Sequence, residues 1–295
     1  MTLPVQRTAS DPAAVPAFDG ATALTDVPRR AFVEQVMGLP VSVHVRGPRA
    51  TGPLVAQAVE ALFEDLRADD VTFSTWKQDS PVSRVRRGDL ALADAGPRVA
   101  EVVRLCEEAA ARTDGAFSAW LPGPSPAERA AGTVADGDLA MRFDPTGLVK
   151  GWAAEQAFDR LLDRLGALGA HDALLSAGGD VVVACARTDT PDWTVAVEDP
   201  RDRTRVLLTV PLRRGAVATS GTAARGAHLV DPATGGTPSG LLSATVVGPS
   251  LTWADVYATA AFVKAGAAAT WLATLPEHLA VLVDADGGVR TITGG

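Results

Sequence analysis

Residues 251–266, "LTWADVYATAAFVKAG", set a run of small and apolar residues with helical character into a half of the chain that otherwise reads as strands. How this segment is read decides the fold class. Upstream of it, "ALLSA" (173–177), "VVVACA" (181–186), "WTVAVED" (193–199), "RVLLTVPL" (205–212), "GAVATS" (215–220) and "SATVVG" (243–248) are short and rich in β-branched residues, as strands are. Downstream, "LAVLVDADGGVRTIT" (279–293) predicts a closing hairpin around a D-A-D-G-G turn. The earlier half supplies the strand "PVSVHVRG" (40–47) and three helical patterns. The first, at 52–70, repeats Leu54, Ala58, Leu62 and Leu66 on one face. The second, at 96–115, carries Val99, Val102, Val103, Leu105 and Cys106, and the third, at 151–170, carries Ala154, Phe158, Leu161, Leu162 and Leu165 before Gly166 stops it. Helices and strands mix without strict alternation, which predicts α+β: largely antiparallel sheets with packed helices. No internal repeat is present.

The acid and the hydroxyl of the opening segment stand four residues apart. Asp255 and Thr259 therefore share one helical face, and a carboxylate beside a hydroxyl is an oxygen site suited to a hard cation. A purely structural alternative stands beside it: Thr252 followed three residues later by Asp255 is close to a capping box, and an acid also suits a helix N-terminus.

Composition narrows the function classes. The chain has 295 residues, 47% hydrophobic and 21% charged, enough for one sizeable core. With 27 basic residues against 35 acidic ones it carries a net charge of −8 and no basic block, the opposite of a phosphate-clamping nucleic-acid binder. Cys106 and Cys185 read as small buried hydrophobes, not as a disulfide. Residues 1–30 read as a mobile tail and 31–295 as a single domain. No signal peptide, lipid-attachment cysteine or membrane-length apolar run is seen, so a cytoplasmic location is expected unless an export signal has been removed. Phosphate-loop, dinucleotide-fold and nucleophile-elbow motifs are all missing. The four histidines, His44, His171, His228 and His278, lack metal-ligand spacing.

What remains is a series of polar, glycine-rich islands: "MG" (37–38), "FSTWKQDSPVSRV" (73–85), "TDGAF" (113–117), "FDPTGLVKGWAAE" (143–155), "SAGGDVVV" (176–183), "ATSGTAARGAHLVDPATGGTP" (218–238) and the Asp255 helix. Singly, each makes a turn; D-P-x-[ST]-G, for example, favours a type I turn. In their order they resemble the ApbE family, the FAD:protein FMN transferases, whose motifs F-S-x-Y-x-x-D-S, T-D-G-A-F-D, D-L-G-G-[IL]-A-K-G, A-G-G-D, T-S-G…H-[IL]-[IV]-D-P-x-T-G and A-D-A-x-A-T-A run in the same sequence.

The resemblance implies an ApbE-like, T-fold-related architecture and a set of roles. Mg²⁺ falls to Asp255 and Thr259, with a backbone carbonyl at Gly147. FAD, the substrate, falls to Met37, Ser74, Thr75, Trp76, Ala116, Phe117, Asp144, Lys150, His228 and Val230. His228 and Asp255 would be catalytic. The implied reaction cleaves FAD, releases AMP and attaches FMN by a phosphoester to a threonine or serine of an acceptor flavoprotein carrying a D-x-x-[ST]-G-A-[ST] site. The chain departs from the family pattern at Ser118, where an acid is usual, at Trp76, where tyrosine is usual, and in a short stretch from Ser118 to Asp144. An FAD pyrophosphatase, or a silent FAD-binding protein, are the alternative readings. The segment "TSGTA" (219–223) lacks a leading acid, so self-flavinylation is not expected.

Overall fold

The computed structural model describes residues 6–7, 27–120, 142–221, 230–232 and 235–295. Among these, eight strands form one antiparallel sheet in the order β11-β10-β9-β8-β5-β4-β3-β2. They are β2 (Arg29–Val36), β3 (Leu39–Arg46), β4 (Asp172–Ala177), β5 (Asp180–Cys185), β8 (Arg214–Gly221), β9 (Leu241–Gly248), β10 (Leu279–Asp284) and β11 (Val289–Thr293). A smaller antiparallel sheet joins β1 (Gln6–Arg7), β7 (Asp202–Leu212) and β6 (Trp193–Asp199) in the order β1-β7-β6. The expected α+β class with antiparallel sheets is what forms.

The large sheet is covered on both faces at its centre. On one side lie α1 (Pro53–Phe73), α4 (Thr146–Gly166) and α5 (Leu251–Lys264), with the short α2 (Pro81–Arg86) following α1 and α3 (Pro97–Arg112) outside α4. Their buried side chains, among them Leu62, Leu66, Trp152, Phe158 and Phe262, fill the main core. On the other side the small sheet contributes Val195, Val197, Leu208 and Val210, which pack on Val183, Val217, Val247 and Val281. This two-sided burial explains why β9 and β10 read as continuous apolar runs and not as alternating ones.

Several expectations shift in detail. Leu54 is 54% exposed, and Val55, Val59 and Phe63 join Ala58, Leu62 and Leu66 on the buried stripe of α1 instead. α4 starts at Thr146, five residues before the expected helix, for a reason found in the site. Strand β2, unseen in the sequence reading, lies at the sheet edge with Val33 69% exposed. Gln6 and Arg7, inside the expected tail, pair with Thr209 and Leu208 of β7. Both cysteines are free; Cys106 is fully buried, which pushes its thiol well above the usual range and leaves it inert. No helix among the described residues is long and apolar enough to cross a membrane. Most of the short stretch from Ser118 to Asp144 lies outside the described residues.

Candidate active site

Helix α5 is capped, but not by Asp255. Ser250 is the N-cap residue, its Oγ accepting from the Trp253 N–H at 3.3 Å. Glu155 of α4 then covers the open turn: its carboxylate accepts from Leu251 N at 2.9 Å, Thr252 N at 3.1 Å, Ser250 Oγ at 2.9 Å and the Thr252 hydroxyl. With the helix terminus satisfied from elsewhere, the capping-box alternative is closed. Asp255 is left one turn further in, 3% exposed and facing α4.

Gly151 makes that meeting possible. A Cβ added there would lie 3.1 Å from both Cβ and Oδ2 of Asp255 and 3.2 Å from the Leu251 carbonyl oxygen. Only glycine lets the two helices approach this closely. The neighbouring Lys150 extends its ammonium to Asp255 Oδ1 at 3.2 Å and also bonds Asp180 Oδ2. Asp180, 2% exposed, opens β5 after the Gly178–Gly179 turn, in which both glycines have positive φ. Its second oxygen accepts from the Thr219 N–H at 3.0 Å. Thr259, one turn beyond Asp255, shares a 3.0 Å hydrogen bond with Ser220 of β8. Four elements thus deliver one lysine, two buried carboxylates and two hydroxyls to one floor.

Above the floor is a cavity of about 330 Å³, within the range of small-molecule sites. The N-terminus of α4 forms one wall. Asp144 sets it: Oδ1 accepts from Thr146 N at 3.1 Å and Thr146 Oγ1 at 2.6 Å, while the Pro145 carbonyl accepts from Leu148 and Val149 at 2.9 Å. These bonds turn D-P-T-G into the first turn of a helix, which is why α4 begins early. The 21-residue helix points its positive end at the cavity, a natural place for an anionic ligand. Gly147 sits against Phe117, where a Cβ would come within 3.3 Å of the ring. Phe117 is in turn fixed by its N–H bond to the buried Thr113 hydroxyl at 3.0 Å.

Of the site residues expected from the sequence, Ala116, Phe117, Asp144, Gly147, Lys150, Val230, Asp255 and Thr259 line this cavity. Thr75 and Trp76 line a second, shallower hollow with Ser83, Arg86 and Arg87, joined to the first through Asp144. Trp76 is 94% exposed, so its ring stands ready as a platform but contributes nothing to the core. Ser74 lines neither: its carbonyl accepts from Ser80 Oγ at 2.6 Å and Ser83 Oγ at 3.1 Å, and it orders the 74–83 segment. Met37 lies in the β2–β3 hairpin turn at φ 56°, half-buried against the core and apart from the cavity lining. His228 lies outside the described residues. Ser118, the departure from the family's acid, is on the cavity wall.

Sequence reasoning passed over Asp180, Thr219 and Ser220, and also Ala196, Glu198 and Arg203 from the small sheet. For Asp180 the signal was present, an acid closing "SAGGD"; the small-sheet residues carry no local signal. Among the described residues no three His, Cys, Asp or Glu side chains converge as a metal cluster.

The model of the ApbE family matches residues 37–121 and 126–283. No curated protein matches the chain by sequence. Among solved structures, the ApbE protein of Thermotoga maritima superposes with a TM-score of 0.73 at 22% identity, over 90% of this chain and 97% of its own. The flavinyl transferase ApbE of Pseudomonas stutzeri gives 0.72 at 25% identity, over 91% and 95%. The flavin transferase ApbE of Vibrio cholerae gives 0.71 at 20% identity, over 91% and 98%. With the family model covering most of its length, this chain belongs to the ApbE family.

Proposed function

We propose that the protein is a Mg²⁺-dependent FAD:protein FMN transferase. The observation that carries the reading is the floor itself: Asp255 with Thr259 one turn on, and Lys150 shared with Asp180, beneath a cavity walled by a helix N-terminus. Oxygen donors of this kind suit a small hard cation, which takes few protein carboxylates and completes its shell with phosphate and water. Asp255 and Thr259, with a carbonyl oxygen at Gly147, would hold Mg²⁺, whose contribution is to neutralise charge on the pyrophosphate.

The chain's own groups do the rest. In the proposed reaction an acceptor threonine or serine oxygen bonds to the FMN phosphorus, and the phosphorus–oxygen bond to AMP breaks, with the bridging oxygen leaving on AMP. Lys150 is a point charge for a phosphate oxygen, and Asp180 fixes where that charge stands. The α4 N-terminus adds N–H dipoles that are already oriented before the reaction, so no reorganisation is needed as charge develops. The proton of the acceptor hydroxyl goes to a base, the role the resemblance gives His228. The exposed Trp76 offers an aromatic face to the flavin or adenine ring, and the buried Phe117 backs the cavity wall.

Incubation with FAD and Mg²⁺, with and without an acceptor flavoprotein carrying a D-x-x-[ST]-G-A-[ST] site, tests the reading. AMP release that depends on the acceptor, with FMN mass added to it, is the expected result. Equal AMP release with and without acceptor would make the protein a pyrophosphatase, and no AMP with retained FAD binding would make it a silent binder.

A further inference from the structure

Among the described residues the small sheet ends on β6. Its order β1-β7-β6 leaves the outer edge of β6 without a partner strand among the described residues. Along β6 the side chains alternate, with Val195 and Val197 buried and Thr194, Ala196 and Glu198 exposed. Ala196 and Glu198 line the cavity, so the exposed face of this edge strand runs directly into the site. Free edges are normally blunted by proline, lysine or a covering element, because they template the addition of another strand. Here the covered edge of the small sheet is the far one, where β1 lies on β7.

The register indicates which backbone groups face outward. Thr194 stands opposite Pro211 of β7, which has no N–H to give to a ladder bond. The bonded pairs are then Trp193–Leu212, Val195–Val210 and Val197–Leu208, and the N–H and C=O groups of Thr194 and Ala196 turn away from β7. Register shifts at Val197/Glu198 and Glu198/Asp199 bend the end of the strand, a device that re-aims side chains beside functional sites. The hairpin end is also held in place. Arg201 grips Asp199 through Nε at 2.8 Å and Nη2 at 2.7 Å and donates to the Gly287 carbonyl at 3.2 Å. The edge is therefore ordered before any partner arrives.

We propose that the outer edge of β6 docks the acceptor, an extended segment of the partner protein that adds as a strand and carries its threonine or serine into the cavity at Ala196 and Glu198. The inference rests on the transferase reading, because only a protein substrate needs such an edge. Backbone pairing would supply affinity for many acceptors, and the side chains flanking the cavity would supply selection.

The test uses the full chain with FAD, Mg²⁺ and a synthetic peptide bearing the D-x-x-[ST]-G-A-[ST] site. Thr194→Pro removes one outward N–H at an edge position where proline is tolerated, and Thr194→Val keeps that N–H. FMN transfer to the peptide should fall about tenfold in Thr194→Pro through a higher KM for peptide, the scale of one lost backbone hydrogen bond. Thr194→Val should match the wild type, and both variants should keep the FAD-induced rise in Tm. Equal transfer by Thr194→Pro and wild type overturns the docking edge. Should Thr194→Pro not fold, hydrogen exchange on the wild type decides: a peptide with valine at the acceptor position should protect residues 193–199, and no protection there overturns the inference. A wild-type chain that releases AMP but modifies neither peptide nor folded acceptor sinks the transferase reading itself, and the docking edge falls with it.

Discussion

Two buried ion-pair centres lie on opposite sides of the large sheet, and they are built differently. Around Asp172 both carboxylate oxygens are matched and the acid is sealed from solvent. Arg46 Nε donates to Oδ2 at 2.8 Å, Thr190 Oγ1 donates to the same oxygen, and Arg187 N donates to Oδ1 at 2.9 Å. Arg46 is 4% exposed, Asp172 is fully buried, and the guanidinium lies 4.1 Å over the Trp193 ring. At the other centre one lysine is divided between Asp180 and Asp255, and all three line a cavity. A planar guanidinium fork suits a fixed structural clasp, whereas an ammonium is a rotatable point charge that can be redirected to a ligand. The first centre closes a loop and the second leaves its polar groups turned towards incoming chemistry.

If that distinction holds, the two acids should fail in different assays. Asp172→Ala strands a buried guanidinium and should cost about 3–5 kcal/mol of stability, read as a fall in the urea midpoint, while protein that remains folded keeps its FAD-dependent turnover. Asp255→Asn is nearly isosteric and leaves the cap made by Ser250 and Glu155 untouched. It should lower Mg²⁺-dependent AMP release by about 100-fold, a scale typical of removing one transition-state electrostatic contact, with Tm shifted by only a few degrees. An Asp255→Asn protein with full activity, or one that no longer folds, would erase the contrast between the two centres.

Much of this was legible because local pattern and tertiary role agree. The period of α5 placed Asp255 and Thr259 on one face, and both line the cavity. The strands from 173 to 248 were visible as β-branched runs between turn residues. Where local and tertiary information diverge, the sequence misled. "DPTG" favours a turn by propensity, yet Asp144 and Pro145 convert it into the start of α4. Leu54 fits the helical stripe but lies at the first turn of α1, where it is 54% exposed. Met37 takes a positive φ beside Gly38 in the turn between β2 and β3, a backbone conformation that its side chain gives no sign of in the sequence. Glu198 and Arg203 reach the cavity only because a second sheet packs beneath the first.

The helix crossing offers a subtler break. Gly151→Ala places a methyl 3.1 Å from Asp255 Cβ and Oδ2, both on a packed helix. Overpacking of this kind costs about 1–3 kcal/mol, and the relief available is a shift of α5 away from α4. That shift moves Asp255 relative to Lys150, so the variant should need more Mg²⁺ for half-maximal turnover as well as lose Tm. A stability loss with an unchanged Mg²⁺ requirement would show that the crossing serves packing alone.

The smallest effect should come from Glu155→Gln. Glu155 closes the N-terminus of α5 with four accepted hydrogen bonds and a negative charge at the positive end of the helix. Glutamine keeps one carbonyl oxygen for Leu251 or Thr252, but surrenders the charge and turns an NH₂ towards donors. The loss should be about 1 kcal/mol, as for other helix caps, because Ser250 still holds the Trp253 N–H. Since α5 keeps its seat on β8 and β9, Asp255 should not move and turnover should stay near the wild-type rate. A Tm drop of a few degrees with unchanged kcat would assign Glu155 to the scaffold. A fall in kcat larger than the stability loss would mean that the end of α5, and not only its crossing at Gly151, fixes the position of Asp255.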